Sequence, residues 1–411
     1  MESQKACLKL VAGREASVLR RHPWIFSGAV ASEPKGAAAG DVVSVVSASG
    51  ERLAQAVWSP HSQIRARILS FDPEESGVGS VPWLAAKIGA AWMRRAPLWD
   101  RTRRNAVRVV HGEGDGLPGL VVDRYGGAVC VQLLSCHFDR LRSRLAAVLL
   151  DLMPDVSVVW ERSEGKARLR EGLEERCGLL AERPGAAALD PGAIEVVVGG
   201  ISTSIDLRGG QKTGSYLDQA VNHALVGARA DGLSVLDAFC YDGGFSLSCL
   251  KAGAASVTAL DSSAGALAAL KANLARNGLK PGVNCGEVEC VCGDAFDALR
   301  RFRDSRRSFD MIVLDPPKLA DSKQKLTRAC RAYKDANRLA FKLLRPGGYL
   351  ATFSCSGAVD PALFATVVAE AAVEAGRFAC VLERFGQAPD HPVALGCPEG
   401  LYLKGLLCQA D

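Results

Sequence analysis

Two short segments carry side chains whose types suit covalent chemistry. Cys355 stands in Gly347-Gly-Tyr-Leu-Ala-Thr-Phe-Ser-Cys-Ser-Gly357, and Asp315 in Phe309-Asp-Met-Ile-Val-Leu-Asp-Pro-Pro-Lys318. Each follows an apolar run of strand type, so a parallel sheet would bring both to the crevice at the carboxyl ends of its strands. A thiolate there can add to carbon 6 of a pyrimidine and make carbon 5 enamine-like. Carbon 5 then attacks a methyl sulfonium, a base removes its proton, and the thiolate leaves. Asp315 would hydrogen-bond ring N3 or the exocyclic group and steady the developing charge. The base would have to be unpaired or flipped into the pocket. The Pro316-Pro317 pair stiffens the loop. Asp-Pro-Pro followed by an aromatic residue suits methylation of an exocyclic nitrogen, and Lys318 in that place disfavours it.

A third segment reads as a cofactor site. In Val235-Leu-Asp-Ala-Phe-Cys-Tyr-Asp-Gly-Gly-Phe-Ser246 a strand ends near Asp237 and a turn containing Gly243 opens a helix. Asp261 and Asp294 end the next two strands, where carboxylates can hold ribose hydroxyls and an adenine amino group. One such Asp is usually a helix cap. Three at successive strand ends are better explained by one nucleoside ligand. Asp237 and Asp242 would repel a diphosphate, whereas a sulfonium with an amino-acid tail tolerates acid, so S-adenosylmethionine fits better than a nicotinamide dinucleotide.

These residues need a scaffold, and three regions differ in pattern. Residues 1–74 hold β-type runs at 41–47 and 53–58 among Gly, Pro and Ser. Residues 75–190 read as a central α+β domain, with helices at 83–99 and 139–152 and strands at 107–110, 119–122, 129–134 and 156–160. Residues 191–411 begin with a hairpin around Gly199-Gly200. Strands then alternate with helices: 234–238, 256–260, 288–292, 311–314 and 349–353, with helices at 244–252, 263–276 and 326–344. Such alternation predicts a mostly parallel sheet covered on both faces.

Composition sets the outer bounds. The 411 residues are 48% hydrophobic and 23% charged, with a formal charge of +5 from 50 Lys and Arg against 45 Asp and Glu. That excludes a wholly disordered, collagen-like or coiled-coil chain. No signal peptide, membrane span or metal site is expected. Cys285, Cys290 and Cys292 lack a partner at zinc spacing. Fourteen scattered cysteines point to a reducing, cytoplasmic location, most of them packing as small hydrophobes. Locally the charge rises. Residues 300–345 hold 14 Lys and Arg against 5 Asp, and Arg94, Arg95, Arg101, Arg103, Arg104 and Arg108 face only Asp100 in the sequence. Such runs are either solvated helix faces or surfaces that track phosphates.

Over nearly its whole length the chain resembles the bacterial 23S rRNA cytosine-5 methyltransferase family with an N-terminal PUA domain. The resemblance is carried by Arg20-Arg-His-Pro-Trp-Ile-Phe-Ser-Gly-Ala-Val30, Gly112-Glu-Gly-Asp-Gly-Leu-Pro-Gly119 and Gln211-Lys-Thr-Gly-Ser-Tyr-Leu-Asp-Gln219. It is carried further by Asp315-Pro-Pro-Lys318, Arg331-Ala-Tyr-Lys-Asp335, Phe353-Ser-Cys-Ser-Gly357, Ala388-Pro-Asp-His-Pro-Val393 and Pro398-Glu-Gly-Leu-Tyr-Leu-Lys-Gly405. It implies a small β-barrel PUA domain for RNA binding, a central α+β domain and a Rossmann-like class I methyltransferase domain of α/β class. It implies 23S rRNA as partner, Cys355 as nucleophile, and Thr213 and Gln219 as cofactor contacts. Asp242, Ala220, His223 and Leu319 depart from the family pattern. Glu399, Asp390 and His391 are candidates for the base that takes the carbon 5 proton, with turn or packing roles as alternatives. Uracil-5 methylation and a non-catalytic RNA-binding assembly factor remain as competing functions.

Overall fold

A computed structural model of the protein describes residues 6–210, 212–320 and 323–411. Gln211, which opens the segment similar to a cofactor-touching one, lies outside the described residues. The chain divides into two compact units. One comprises Met1–Val197, Ser204–Leu217 and Pro389–Gly400, the other Val198–Thr203, Asp218–Ala388 and Leu401–Asp411.

The first unit contains two sheets. Its N-terminal part is a barrel-like, six-stranded mixed sheet whose strands span Cys7–Leu10 to Ile64–Ser70. Alternate side chains of these strands, among them Leu8, Leu10, Val43, Val45, Ala54, Ala56 and Trp58, fill its core. The second sheet orders Arg176–Glu182, Val158–Ser163, Ala128–Leu133, Leu120–Tyr125 and Ala106–His111 side by side. The helix Val81–Arg95 starts at Ser80, whose hydroxyl accepts from the Trp83 amide. It buries Trp83, Leu84, Ile88 and Ala91 with the apolar residues of this sheet. The strand Arg176–Glu182 was not expected. Its exposed, charged pattern gives no clear alternation.

The second unit is built on one sheet, whose strands we number within the unit: β1 Ser234–Ala238, β2 Ser256–Asp261, β3 Glu287–Cys292, β4 Phe309–Leu314, β5 Leu344–Ser354, β6 Ala379–Gly386 and β7 Lys404–Ala410. Their spatial order is β3-β2-β1-β4-β5-β7-β6. The first five are parallel, and β7 runs antiparallel to both neighbours. The helices are α1 Ala220–Gly227, α2 Gly244–Lys251, α3 Ala264–Arg276, α4 Ala295–Asp304, α5 Leu326–Leu343 and α6 Pro361–Ala375. Strand order reverses between β1 and β4, the place where α/β sheets open a ligand crevice. The register aligns Ala238 with Leu260 and Leu314, Leu260 with Val291, and Leu314 with Thr352. All five parallel strands therefore finish at nearly one level. β1 and β4 are buried almost throughout, which explains their unbroken apolar runs.

Candidate active site at the carboxyl edge of the sheet

The aligned strand ends set the candidate residues in a row along the second unit. Asp237 is the fourth residue of β1, Asp261 ends β2, Asp294 follows β3, Asp315 follows β4 and Cys355 follows β5. The turn after β1 is held in an uncommon conformation. Phe239, Tyr241 and Gly243 all have positive φ, at 65°, 50° and 92°. For two residues with side chains this stores strain of about 1–3 kcal/mol each, which persists only where the surroundings enforce it. Asp261 supplies part of that enforcement. Its Oδ2 accepts from the Tyr241 amide at 3.0 Å and its Oδ1 from the Ser263 amide at 2.8 Å.

The two glycines of the turn have separate reasons. A Cβ on Gly243 would stand 2.1 Å from Leu270 Cδ1, besides its positive φ. A Cβ on Gly244 would stand 2.3 Å from His223 Cε1. His223, one of the departures from the family pattern, packs edge-on against Phe245 at 4.4 Å between ring centroids. Burial pushes its imidazole down to about 4, so it is a neutral packing group near pH 7.

Asp237 is 1% exposed. Its Oδ2 accepts from both the amide (2.9 Å) and the hydroxyl (2.6 Å) of Ser246 in the first turn of α2. Its Oδ1 is buried and has no hydrogen-bond partner among the described residues. Burial raises its carboxyl to about 6, partly offset by the Ser246 bonds. Asp242, which keeps some exposure, is also pushed to about 6 by desolvation. Asp294 is an exposed cap of α4, accepting from the Asp297 amide at 3.0 Å.

At the other end of the row, Asp315 accepts at Oδ2 from Gln219 Nε2 at 2.9 Å. Asn222 orients that amide by donating to Gln219 Oε1 at 2.5 Å. Cys355 is half-buried and flanked by two serines tied to one phenol. Ser354 Oγ donates to Tyr333 Oη at 2.9 Å, and Tyr333 Oη lies 3.0 Å from Ser356 Oγ. The Ala320 amide donates to Ser356 Oγ at 3.1 Å and so links the Asp-Pro-Pro-Lys loop to the cysteine turn. Lys404, which opens β7 opposite Ser354, donates from Nζ to the carbonyls of Ser356 and Val359, each at 2.7 Å.

Comparison with known proteins identifies the family. Residues 109–407 match the family described as S-adenosylmethionine-dependent methyltransferase, and residues 8–71 match the PUA-like domain. The chain is 42% identical over 402 residues to the ribosomal RNA large subunit methyltransferase I of Klebsiella pneumoniae (strain 342), covering 98% of both chains. Its identity to the protein of the same name from Shewanella amazonensis is 44% over 403 residues, again 98% of both.

The chain belongs to the S-adenosylmethionine-dependent methyltransferase family.

The fold agrees. A putative methyltransferase from Streptococcus mutans superposes with a TM-score of 0.81 at 20% identity, over 98% of this chain and 100% of that one. A putative methyltransferase solved in complex with SAH gives the same values. The cofactor of the family is S-adenosylmethionine. This methyltransferase has a donor set that fits it: a buried, unpartnered carboxylate oxygen on Asp237, beside a strained turn and two further acids.

Other expected residues belong to the first unit. Thr213 belongs to the first unit and is fully buried there. Its hydroxyl donates to Asp123 Oδ2 at 2.5 Å and lies 3.1 Å from Tyr125 Oη. Asp390 is also in the first unit, with Oδ1 3.0 Å from His391 Nδ1 and Oδ2 accepting from Arg104 at 2.8 Å and the Arg108 amide at 3.0 Å. Burial alone would raise its carboxyl, but His391 and Arg104 outweigh that and hold it at about 2, a poor base. His22 accepts at Nδ1 from the Trp24 amide, which leaves a proton on Nε2 for Glu399 at 3.3 Å. That pair and Cys397 form a compact donor group, but a protonated Nε2 cannot ligate a metal.

The arginine run at 94–108 is a correction. It faces more than Asp100. Arg95 makes a two-pronged pair with Asp115 (2.6 and 2.7 Å) and Arg108 another with Asp123 (2.8 and 2.7 Å). Arg104 pairs with Asp390 and Arg101 with Asp155. Those charges hold the first unit together. In the run at 300–345, Arg300, Arg303, Arg307, Lys334, Arg338 and Arg345 are also ion-paired, whereas Lys318, Arg328 and Arg331 stay exposed.

Proposed function

We propose that this methyltransferase places a methyl group on carbon 5 of a cytosine in large-subunit ribosomal RNA, through a covalent adduct between Cys355 and carbon 6. The observation that carries this reading is the half-buried Cys355 at the end of β5, on the same sheet edge as Asp315 and Asp237. Bound S-adenosylmethionine supplies an electrophilic methyl group on its sulfonium. Asp237 and Asp261 are read as its holders, with Gly243 leaving room for backbone approach and Gln219 and Asp294 adding contacts. The Cys355 thiolate adds to carbon 6, which turns carbon 5 into the nucleophile for the methyl group. Loss of the carbon 5 proton to a base then expels the thiolate and restores the aromatic ring. Asp315, steadied by Gln219, holds the ring edge while charge develops on it.

The substrate class is supported by the names of the full-length relatives and by the PUA-like match at residues 8–71. Residues 1–74 are read as the RNA-binding domain, 75–190 as the central domain and 191–411 as the catalytic domain, acting in the cytoplasm. Among the described residues no helix is long and apolar enough to cross a membrane.

The test is methyl transfer from labelled cofactor to protein-free 23S rRNA and to large subunits, followed by bisulfite mapping. A bisulfite-resistant cytosine is the expected product. Label on uridine, or full activity in Cys355→Ala, overturns the reading.

A further inference from the structure

Lys404 is an ammonium in a place where lysine is rarely found. It is 5% exposed, and among the described residues no carboxylate lies within ion-pair distance of its Nζ. Its two partners are the carbonyls of Ser356 and Val359. These take two of its three hydrogens and leave its charge uncompensated. A buried, unneutralised cation is costly unless an anion forms beside it. Both carbonyls belong to the turn that follows Cys355, and the register of β5 with β7 sets Lys404 directly across from Ser354. The lysine therefore grips the cysteine turn from the neighbouring strand, on the residue before Cys355 and on the residue after it.

We propose that Lys404 is a positioning residue for Cys355: its ammonium favours the thiolate, and its two hydrogen bonds fix the turn that aims the sulfur. The proposal rests on the reading of Cys355 as the nucleophile. The charged and titratable neighbours fit it. Burial lowers the Lys404 ammonium to about 8, while a negative charge on Cys355 or Asp360 pulls it back up and Lys318 pushes it down. Asp360 is already engaged as the N-cap of α6, accepting from the Leu363 amide at 2.8 Å. Tyr333, from α5, is kept un-ionised by burial, partly offset by its bonds to Ser354 and Ser356. It adds a polar hydroxyl but no charge. Asp315, at the end of β4, is a carboxylate on the same edge. Lys404 is the buried cation in this group.

Lys404 is the group whose removal should change the ionisation of the thiol without touching the substrate sites. The experiment is alkylation of Cys355 by iodoacetamide across pH 6 to 10, read by mass spectrometry on the Cys355 peptide. The full chain, Lys404→Met and Lys404→Arg are compared, with thermal melts alongside. The native chain is expected to reach half its limiting rate below the pH of an ordinary thiol, about 8.5. Lys404→Met should react at least about tenfold more slowly at pH 7, with its midpoint moved up by one unit or more. Lys404→Arg should recover most of the difference. An unchanged midpoint in a folded Lys404→Met overturns the proposal. So does a native midpoint at or above that of an ordinary thiol, which covers the case in which Lys404→Met does not fold. Alkylation needs neither cofactor nor RNA. Failure of the covalent mechanism would show separately, as methyl transfer by Cys355→Ala.

Discussion

Two cysteines follow parallel strands of the second unit's sheet, Cys240 after β1 and Cys355 after β5. Cys240 is buried, and its surroundings are acidic. Burial, then the charges of Asp237 and Asp261, push its thiol far up. Cys355 is half-open and has Lys404 across the ladder. One end of the edge thus holds Asp237, Asp261 and Asp294, and the other holds Asp315 and Cys355 with a buried cation. The first end suits a sulfonium and the second a thiolate. Sequence position at a strand end nominates a group for chemistry, and the sign of the charge around it decides which chemistry.

The largest test of this contrast exchanges nothing but sulfur. Cys355→Ala should lower methyl transfer by about 10³-fold or more, the scale on which loss of a covalent nucleophile is felt. Cys240→Ala should keep most of it. Equal losses would erase the distinction. At the acidic end, Asp237→Asn should weaken cofactor binding by about tenfold or more in calorimetry, as for a lost hydrogen bond to a charged group. The pH dependence follows from its raised carboxyl. Ionised Asp237 is the costly form in the fold, so its contribution to stability falls as pH rises from about 4 to about 6. A bound cation reverses that preference. Cofactor affinity should therefore rise across the same window, less so in Asp237→Asn, and equal slopes would remove Asp237 from the site.

A smaller effect concerns the turn. Gly244→Ala forces a methyl group into the His223 ring and should cost about 1–3 kcal/mol in urea unfolding. His223→Ala in the same chain should relieve it, and no relief would mean the backbone itself resists. The smallest effect separates the two basic runs. Arg328→Ala and Arg331→Ala should each flatten the salt dependence of RNA binding by up to about 0.7–0.9 in log–log slope. Arg104→Ala should leave that slope unchanged and lower stability instead.

Much of the second unit was legible because β1, β4 and β5 are buried on both faces and write long apolar runs with Asp or Cys at their ends. The strand β6 was not, since its outer positions are exposed and mix Glu383 and Arg384 with Val381 and Leu382. Helix α6 was missed because Ala-rich apolar sequence with few charges shows little amphipathic contrast. The acid and thiol of the candidate site could be nominated from residue type. Asn222, Tyr333 and Lys404 could not: Tyr333 and Lys404 act through partners 21 to 48 residues away, and Asn222 acts by orienting the Gln219 amide that reaches Asp315. Tyr333 and Lys404 do stand inside motifs that carried the family resemblance, and that was the available signal. The arginines at 94–108 misled for the same reason: Asp390, which answers Arg104, is 286 residues distant.

The antiparallel pairing of β7 with β5 has a consequence for the newly made protein. Cys355 is synthesised 49 residues ahead of Lys404. At synthesis rates of roughly 5–20 residues per second, that is a delay of about 2–10 s. During that interval the cysteine turn lacks the two hydrogen bonds from Lys404 and its cation, and on the proposed role of Lys404 the Cys355 thiol is unassisted. Insertion of β7 between β5 and β6 then arms it. On the proposed role of Cys355, the thiol is in this way kept quiet while its own chain is still attached to a ribosome.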